Sequence, residues 1–260
     1  GERVLWCAIR AIEESFPGWQ VVVYSGDGVD SEQLCASAAA KFGVELKNPI
    51  QVVTLHQRPL VEASAYPHFT LVGQALGSIA LAWEALSQLN PEVFVDTAGY
   101  AFAYPLAAAC GSRVACYVHY PTISTDMLQR VASRQAMYNN DSAVASSALR
   151  SAIKLGYYHA FALLYGAVGA YPSAVMVNSS WTEAHIRKLW WRFRAPVRVF
   201  PPCDTTKLQA LPLHGRDTAP LKLISVAQFR PEKAHRLQLE AFKLAREAAS
   251  QSGRCDRPDA

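Results

Sequence analysis

Between Val21 and Phe200, short apolar runs alternate with helical stretches, and this rhythm constrains the fold more than any other feature. The runs are Val21–Ser25, Gln51–Leu55, Val93–Asp96, Val114–His119, Ala174–Asn178 and Val197–Phe200. Each is too short for a stable helix, and runs with little polar alternation suit strands buried on both faces of a parallel sheet. The stretches between them predict helices over Asp30–Phe42, Gln74–Leu89, Gly99–Ala109, Leu149–Ala170 and Ser180–Trp191. Asn90-Pro91 stops the second of these, and Ser180 or Thr182 caps the last, with Glu183 in its first turn. Ahead of the first run, Val4, Leu5, Ala8, Ile9, Ile12 and Phe16 fall on one helical face. Strand–helix alternation of this kind predicts an α/β, Rossmann-like domain with a parallel sheet.

The polar, Gly/Pro/Asp-containing stretch Asp204–Pro220 reads as a domain boundary. Beyond it Leu221–Ala227 predicts one more buried strand, and from Ala234 a helix carries Leu237, Ala241, Leu244, Ala245 and Ala248 on one stripe. The expected organisation is a nearly complete first domain over 1–205, the first strand–helix unit of a second over 206–250, and an irregular tail over 251–260. The chain starts on a helix with no strand before it and stops after one unit of the second domain, so it reads as cut at both ends.

Apolar residues make up 51% of the 260 and charged residues 18%, which places the chain among globular proteins. A net charge of +4 is too mild to argue for a nucleic-acid partner. The six cysteines (Cys7, Cys35, Cys110, Cys116, Cys203, Cys255) have no CxxC spacing and read as thiols of a reducing compartment. No signal-peptide pattern is present. GxSxG, HExxH, Walker and GxGxxG motifs are absent, and Asp27 and Asp30 lack the spacing of a metal clamp, so no metal site is expected.

In open α/β sheets ligands bind outside the carboxyl ends of the strands. Three predicted strands end in polar residues there: Asp96-Thr97-Ala98-Gly99, His119-Tyr120-Pro121 and Asn178-Ser179-Ser180. His119 reads as a general base, as a donor to an oxygen bearing developing charge, or as a structural histidine bonded to backbone. Asp96 reads as an orienting carboxylate or as a cap of the helix after it. Past the boundary, Arg230 and Lys233 lie three apart beside a helix N-terminus. They form either a grip on a diphosphate or a solvated basic loop.

Five segments carry a resemblance: VDTAGYAF (95–102), YVHYPTISTDML (117–128), VMVNSSWTEAHI (175–186), FPPCDTTKL (200–208) and VAQFRPEKAH (226–235). Together they resemble the GDP-mannose-dependent mannosyltransferases of asparagine-linked glycosylation, in glycosyltransferase family 4. That resemblance implies the two-domain GT-B fold, and transfer of α-1,2-linked mannose from GDP-mannose to dolichol-diphosphate-linked trimannosyl-chitobiose. It implies a location on the cytosolic face of the endoplasmic reticulum membrane, no cofactor beyond the donor substrate, and other mannosyltransferases of the pathway as partners. It places Gly1, Glu2 and Arg3 at the end of a glycine-rich acceptor-side loop and His119 at the transfer site, with Asp96 and Gly99 nearby. Gln228, Arg230 and Lys233 fall on the donor-diphosphate grip, although Ala227-Gln228 stands where many relatives carry Gly-Arg. The family's paired glutamates would lie beyond Ala260, so this chain alone is expected to be inactive. Two alternatives are a non-catalytic form that binds lipid-linked glycan or a partner transferase, and a nucleotide-sugar GT-B transferase with another acceptor.

Independently of the motifs, Leu155–Val177 has His159 as its only readily ionised side chain, and Trp190-Trp191-Arg192-Phe193-Arg194 mixes aromatic and basic residues. The first reads as a core helix with one face open to a bilayer, the second as a contact with the headgroup layer.

Overall fold

The structure, a computed structural model, describes residues 1–132, 148–192, 194–212, 222–229 and 233–251. It contains two compact units, Gly1–Gln129 with Leu155–Leu211, and Arg130–Lys154 with Pro212–Ala260.

The first unit is the α/β domain. Helix α1 (Glu2–Ser15) leads into β1 (Val22–Ser25), α2 (Ser31–Phe42) and β2 (Gln51–Thr54). After 3-10 turns at Arg58–Val61 and Ala63–Ala65 come α3 (Thr70–Gln88), β3 (Val93–Asp96), a 3-10 turn at Ala101–Ala103, α4 (Tyr104–Ala109), β4 (Arg113–Val118) and α5 (Thr125–Ala132). Helix α6 (Ala148–Val168), β5 (Ala174–Val177), α7 (Ser180–Leu189), β6 (Val197–Arg198) and α8 (Thr206–Gln209) complete the described elements up to the boundary. All described strand pairings are parallel, in a β1-β2 pair and a sheet ordered β3-β4-β5-β6. Side chains set β1 beside β3. The Tyr24 hydroxyl donates to the Leu89 carbonyl at 2.5 Å, and the Tyr24 and Phe94 rings are 6.4 Å apart.

Local chemistry accounts for the element ends. Asp30 caps α2 by accepting the Gln33 N–H at 2.8 Å, and Gly43 closes the helix at φ 65°, a left-handed conformation that suits glycine. Helix α1 buries Val4, Trp6 and Ile9, the last two against Val23, Ala38, Val44 and Ile50. Trp6 lies off the predicted stripe yet is buried, because α1 packs against both α2 and β1. Phe16, predicted on the stripe, is exposed and stacks on Trp19 at 4.7 Å.

Two predicted helices differ in extent. Helix α3 begins a turn earlier than Gln74, after Phe69 in a left-handed conformation (φ 53°). The helix expected over Gly99–Ala109 is a 3-10 turn followed by α4, because Gly99 at φ 96° bends the chain first and Pro105 suits a helix's opening turn. Helix α5 was not predicted; Ser124 opens it by accepting the Met127 N–H at 3.2 Å.

Helix α6 buries Tyr158, Phe161 and Tyr165 and leaves Leu163 and Leu164 exposed. Trp190, expected at a membrane surface, is core: its ring meets those of Tyr104 and Tyr165 at 6.2 and 5.5 Å. A Cβ on Gly169 would stand 2.2 Å from that ring, so the missing side chain is what admits the tryptophan. Its neighbour Trp191 is 58% exposed. Among the described residues no helix is long and apolar enough to cross a membrane.

In the second unit the strand expected over Leu221–Ala227 is not formed. Residues 222–228 pair with no described strand, and Ile224 and Val226 are 83% and 92% exposed. A strand is held by ladder hydrogen bonds to a neighbour, and this segment has none among the described residues. Helix α9 (His235–Gln251) forms as expected, with i,i+4 pairs Arg236–Glu240 (2.8 Å) and Lys243–Glu247 (3.8 Å), but buries none of its residues. Arg230 and most of the tail (252–260) lie outside the described residues.

Candidate functional site

Parallel register brings the carboxyl ends of β3, β4 and β5 to one edge, with Asp96 opposite Cys116 and Val118 opposite Val177. His119 follows β4 there. Its carbonyl accepts a 2.7 Å hydrogen bond from Asn178 Nδ2, which ties the ends of β4 and β5 together. Its ring lies 4.8 Å from that of Tyr117, whose hydroxyl donates to the Val199 carbonyl at 2.7 Å. The half-buried imidazole hydrogen-bonds the Thr97 backbone, while Nε2 is buried with no partner among the described residues. With the proton on Nδ1 and donated to the Thr97 carbonyl, Nε2 would hold the free lone pair of the neutral ring. Burial lowers the pKa of His119; the Thr97 bond and the charge of Asp96 oppose this.

The first residue of α1 faces that nitrogen. A Cβ built on Gly1 would stand 3.6 Å from His119 Nε2. The first turn of α1 therefore lies beside the imidazole. Arg3 turns away, with Nη2 donating to the Phe42 carbonyl at 3.1 Å, and Glu2 is exposed.

Asp96 is wholly engaged. Oδ1 accepts the amides of Ala98 (2.8 Å) and Gly99 (3.0 Å), and Oδ2 accepts the Tyr104 hydroxyl at 2.6 Å. Burial raises its pKa against these bonds, and burial pushes the neighbouring Cys116 thiol up to about 12. The carboxylate thus shapes the loop that holds Thr97 against His119. Asp96→Asn replaces one acceptor with an NH2 facing amide donors, and a buried unsatisfied group costs about 1–3 kcal/mol. The expected result is a clear loss of stability in chemical denaturation, larger than that of Tyr104→Phe.

A second histidine here was missed in the sequence. His185 on α7 is buried, its Nδ1 lies 2.8 Å from Thr125 Oγ1 and its Nε2 3.6 Å from Asp126 Oδ2. Trp181 packs on it at 4.1 Å and stacks on Tyr120 at 5.0 Å. The segments 117–128 and 175–186 are therefore clasped through His185. The signal was its place three residues after Thr182, on the face of the helix that Thr182 buries.

Gln228 and Lys233 belong to the second unit and are exposed. Their carbonyls accept from His235 Nε2 (2.9 Å) and Gln238 Nε2 (2.8 Å). No group of three or more His, Cys, Asp or Glu among the described residues is placed to hold a metal. A cavity of about 380 Å³ on the outer face of α3, lined by Leu76, Ile79, Ala80, Trp83, Leu106 and Gln57, carries no ionisable group.

Residues 1–190, which include every strand end described above, match the family model of the ALG11 mannosyltransferase N-terminus. The chain belongs to this family. Proteins named GDP-Man:Man(3)GlcNAc(2)-PP-Dol alpha-1,2-mannosyltransferase are similar throughout. The mouse protein is 49% identical over 257 residues, covering 97% of this chain and 52% of its own length. The human protein is 49% identical over 245 residues (93% and 50%) and that of Dictyostelium discoideum 45% over 247 residues (93% and 49%). The chain thus spans about half the length of the relatives it matches. No solved structure matches it. The ALG11 N-terminal segment holds His119, Asp96, Gly99 and Asn178, whereas Gln228, Arg230 and Lys233 follow it.

Proposed function

We propose that the whole protein transfers α-1,2-linked mannose from GDP-mannose to dolichol-diphosphate-linked trimannosyl-chitobiose, at the cytosolic face of the endoplasmic reticulum membrane. In this reading the α/β unit is the acceptor-side half of a GT-B transferase. The observation that carries it is the unpartnered Nε2 of His119, beside Gly1 and at the strand ends of a segment belonging to this mannosyltransferase family.

The chemistry follows from that nitrogen. Departure of GDP leaves an oxocarbenium-like sugar and gathers negative charge on the diphosphate. A neutral His119 accepts a hydrogen bond from a sugar hydroxyl through Nε2 and so fixes the sugar's orientation. By the resemblance, Arg230 and Lys233 would supply cations for the diphosphate, and no cofactor is required beyond the donor. The acceptor's lipid holds the reaction at a membrane surface, where other mannosyltransferases of the pathway are natural partners.

The test is incubation of the whole protein with GDP-mannose and lipid-linked trimannosyl-chitobiose. The reading expects a product lengthened by mannose that an α-1,2-mannosidase removes. Transfer from another nucleotide sugar, or a product resistant to that enzyme, would overturn it.

A further inference from the structure

A second cluster of cations lies at the opposite end of α7 from the strand-end site. Arg187, Arg192 and Arg194, with Trp190 and Pro196, line a cavity of about 200 Å³. The ten residues of α7 put it roughly 15 Å from Ser179 and Asn178. The three guanidiniums are unequally balanced. Arg187 pairs with Glu183 at 2.8 Å, and Glu183 also takes Arg198 at 2.7 Å. Among the described residues Arg192 meets only carbonyls: Nη1 donates to Gly169 (3.3 Å) and to Pro172, and its buried Nε has no partner among them. Arg194 is exposed and has no ion pair among them. Burial lowers the pKa of Arg192, and the charge of Arg194 adds to this.

Two unneutralised guanidiniums facing one cavity repel each other and favour an anion between them. Their planar forks match the paired oxygens of a phosphate. We propose that the cavity formed by Arg187, Arg192 and Arg194 is a phosphate-binding site. Its surroundings favour a phospholipid headgroup as the source. Trp191 is exposed beside it and its backbone N–H donates to the Gly166 carbonyl of α6 at 3.2 Å, while Leu163, one turn back on that helix, is 59% exposed. An exposed tryptophan beside cations suits the layer where headgroups lie. The lipid source rests on the membrane-bound reading of the function; the phosphate site does not.

The experiment is flotation of the chain with vesicles of phosphatidylcholine alone or mixed with phosphatidic acid, at constant ionic strength, alongside thermal melts in inorganic phosphate. The parent is expected to prefer acidic vesicles by about fivefold or more, the scale of one cation near an anionic surface. Inorganic phosphate should compete and raise the melting temperature. Arg194→Glu should lose both responses. Lys41→Glu, an equal change of charge at an exposed position of α2, should keep them. A phosphate response without vesicle preference would support the site and assign it to a soluble phosphate ester. Absence of any phosphate response, or equal losses in Arg194→Glu and Lys41→Glu, would overturn the proposal. None of these readouts depends on mannosyl transfer.

Discussion

His119→Ala in the whole protein is expected to lower the turnover of mannosyl transfer by about 10²-fold, the scale of a lost positioning contact at the reacting centre. The melting temperature should move only a few degrees. The side chain's bonds within the fold are few: the Thr97 backbone contact and the Tyr117 ring face. Losing one such hydrogen bond costs about 1 kcal/mol, or roughly 2–4 °C for a unit of this size. The main-chain link from Asn178 to the His119 carbonyl survives the substitution. Function and stability therefore separate, and unchanged turnover would make His119 a structural residue.

The same residue sets a pH dependence. Its pKa in the folded chain lies below the ordinary 6.5, with burial as the main cause. As pH falls through 6.5 the unfolded chain takes up the proton first, so His119 lowers stability progressively until its folded pKa is reached and contributes nothing above 6.5. Transfer that uses the Nε2 lone pair should persist to a pH below that of an ordinary histidine. His119→Ala should flatten part of the acid loss of stability.

Gly77→Ala is expected to destabilise the first unit by about 3 kcal/mol or more, at the upper end of overpacking. A Cβ at Gly77 would stand 1.9 Å from the Leu60 carbonyl oxygen and 2.6 Å from its carbon. That neighbour is backbone, held in a 3-10 turn in which the Leu60 N–H donates to the Gln57 carbonyl at 3.0 Å, and cannot rotate away as a side chain could. The turn itself is held to α3 by Glu84, which accepts the amides of His56 and Gln57 at 2.8 and 2.9 Å. The melting temperature should fall by roughly 6–12 °C. Gly156→Ala provides the opposite sign. Among the described residues nothing lies within 4 Å of a Cβ there, and in mid-helix alanine is favoured over glycine by about 1 kcal/mol. A tolerated Gly77→Ala would mean that α3 does not press on this turn.

The strands of the first unit were legible because each run is short and apolar, and all but Gln51–Leu55 are ended by Gly, Pro, Asp or Asn. The predicted and observed limits of Val93–Asp96 coincide, and the others differ by one residue at one or both ends, except Val197–Phe200, which is two residues shorter as Val197–Arg198. What the sequence concealed is tertiary. The 3-10 turn at Arg58–Val61 follows from Gly77, far along the chain, and Trp190 reads as amphipathic until Gly169 makes room for it. Leu221–Ala227 has a strand's composition but no described neighbour to complete it. At the site, polarity at the strand ends marked His119, but only the fold shows which nitrogen is free and that Asp96 is consumed by backbone and Tyr104. His185 went unnoticed because its partners, Thr125 and Asp126, are 60 and 59 residues away in sequence.

The central claim is that His119 presents a bare, neutral Nε2 to sugar at the strand ends. Long-range imidazole ¹⁵N NMR on the whole protein reads this nitrogen directly. At pH 7 the account predicts a protonated Nδ1, an unprotonated Nε2, and movement of the Nε2 resonance alone when lipid-linked trimannosyl-chitobiose and GDP-mannose are added. A protonated Nε2 in the free protein, or a resonance unmoved by both substrates, would contradict it.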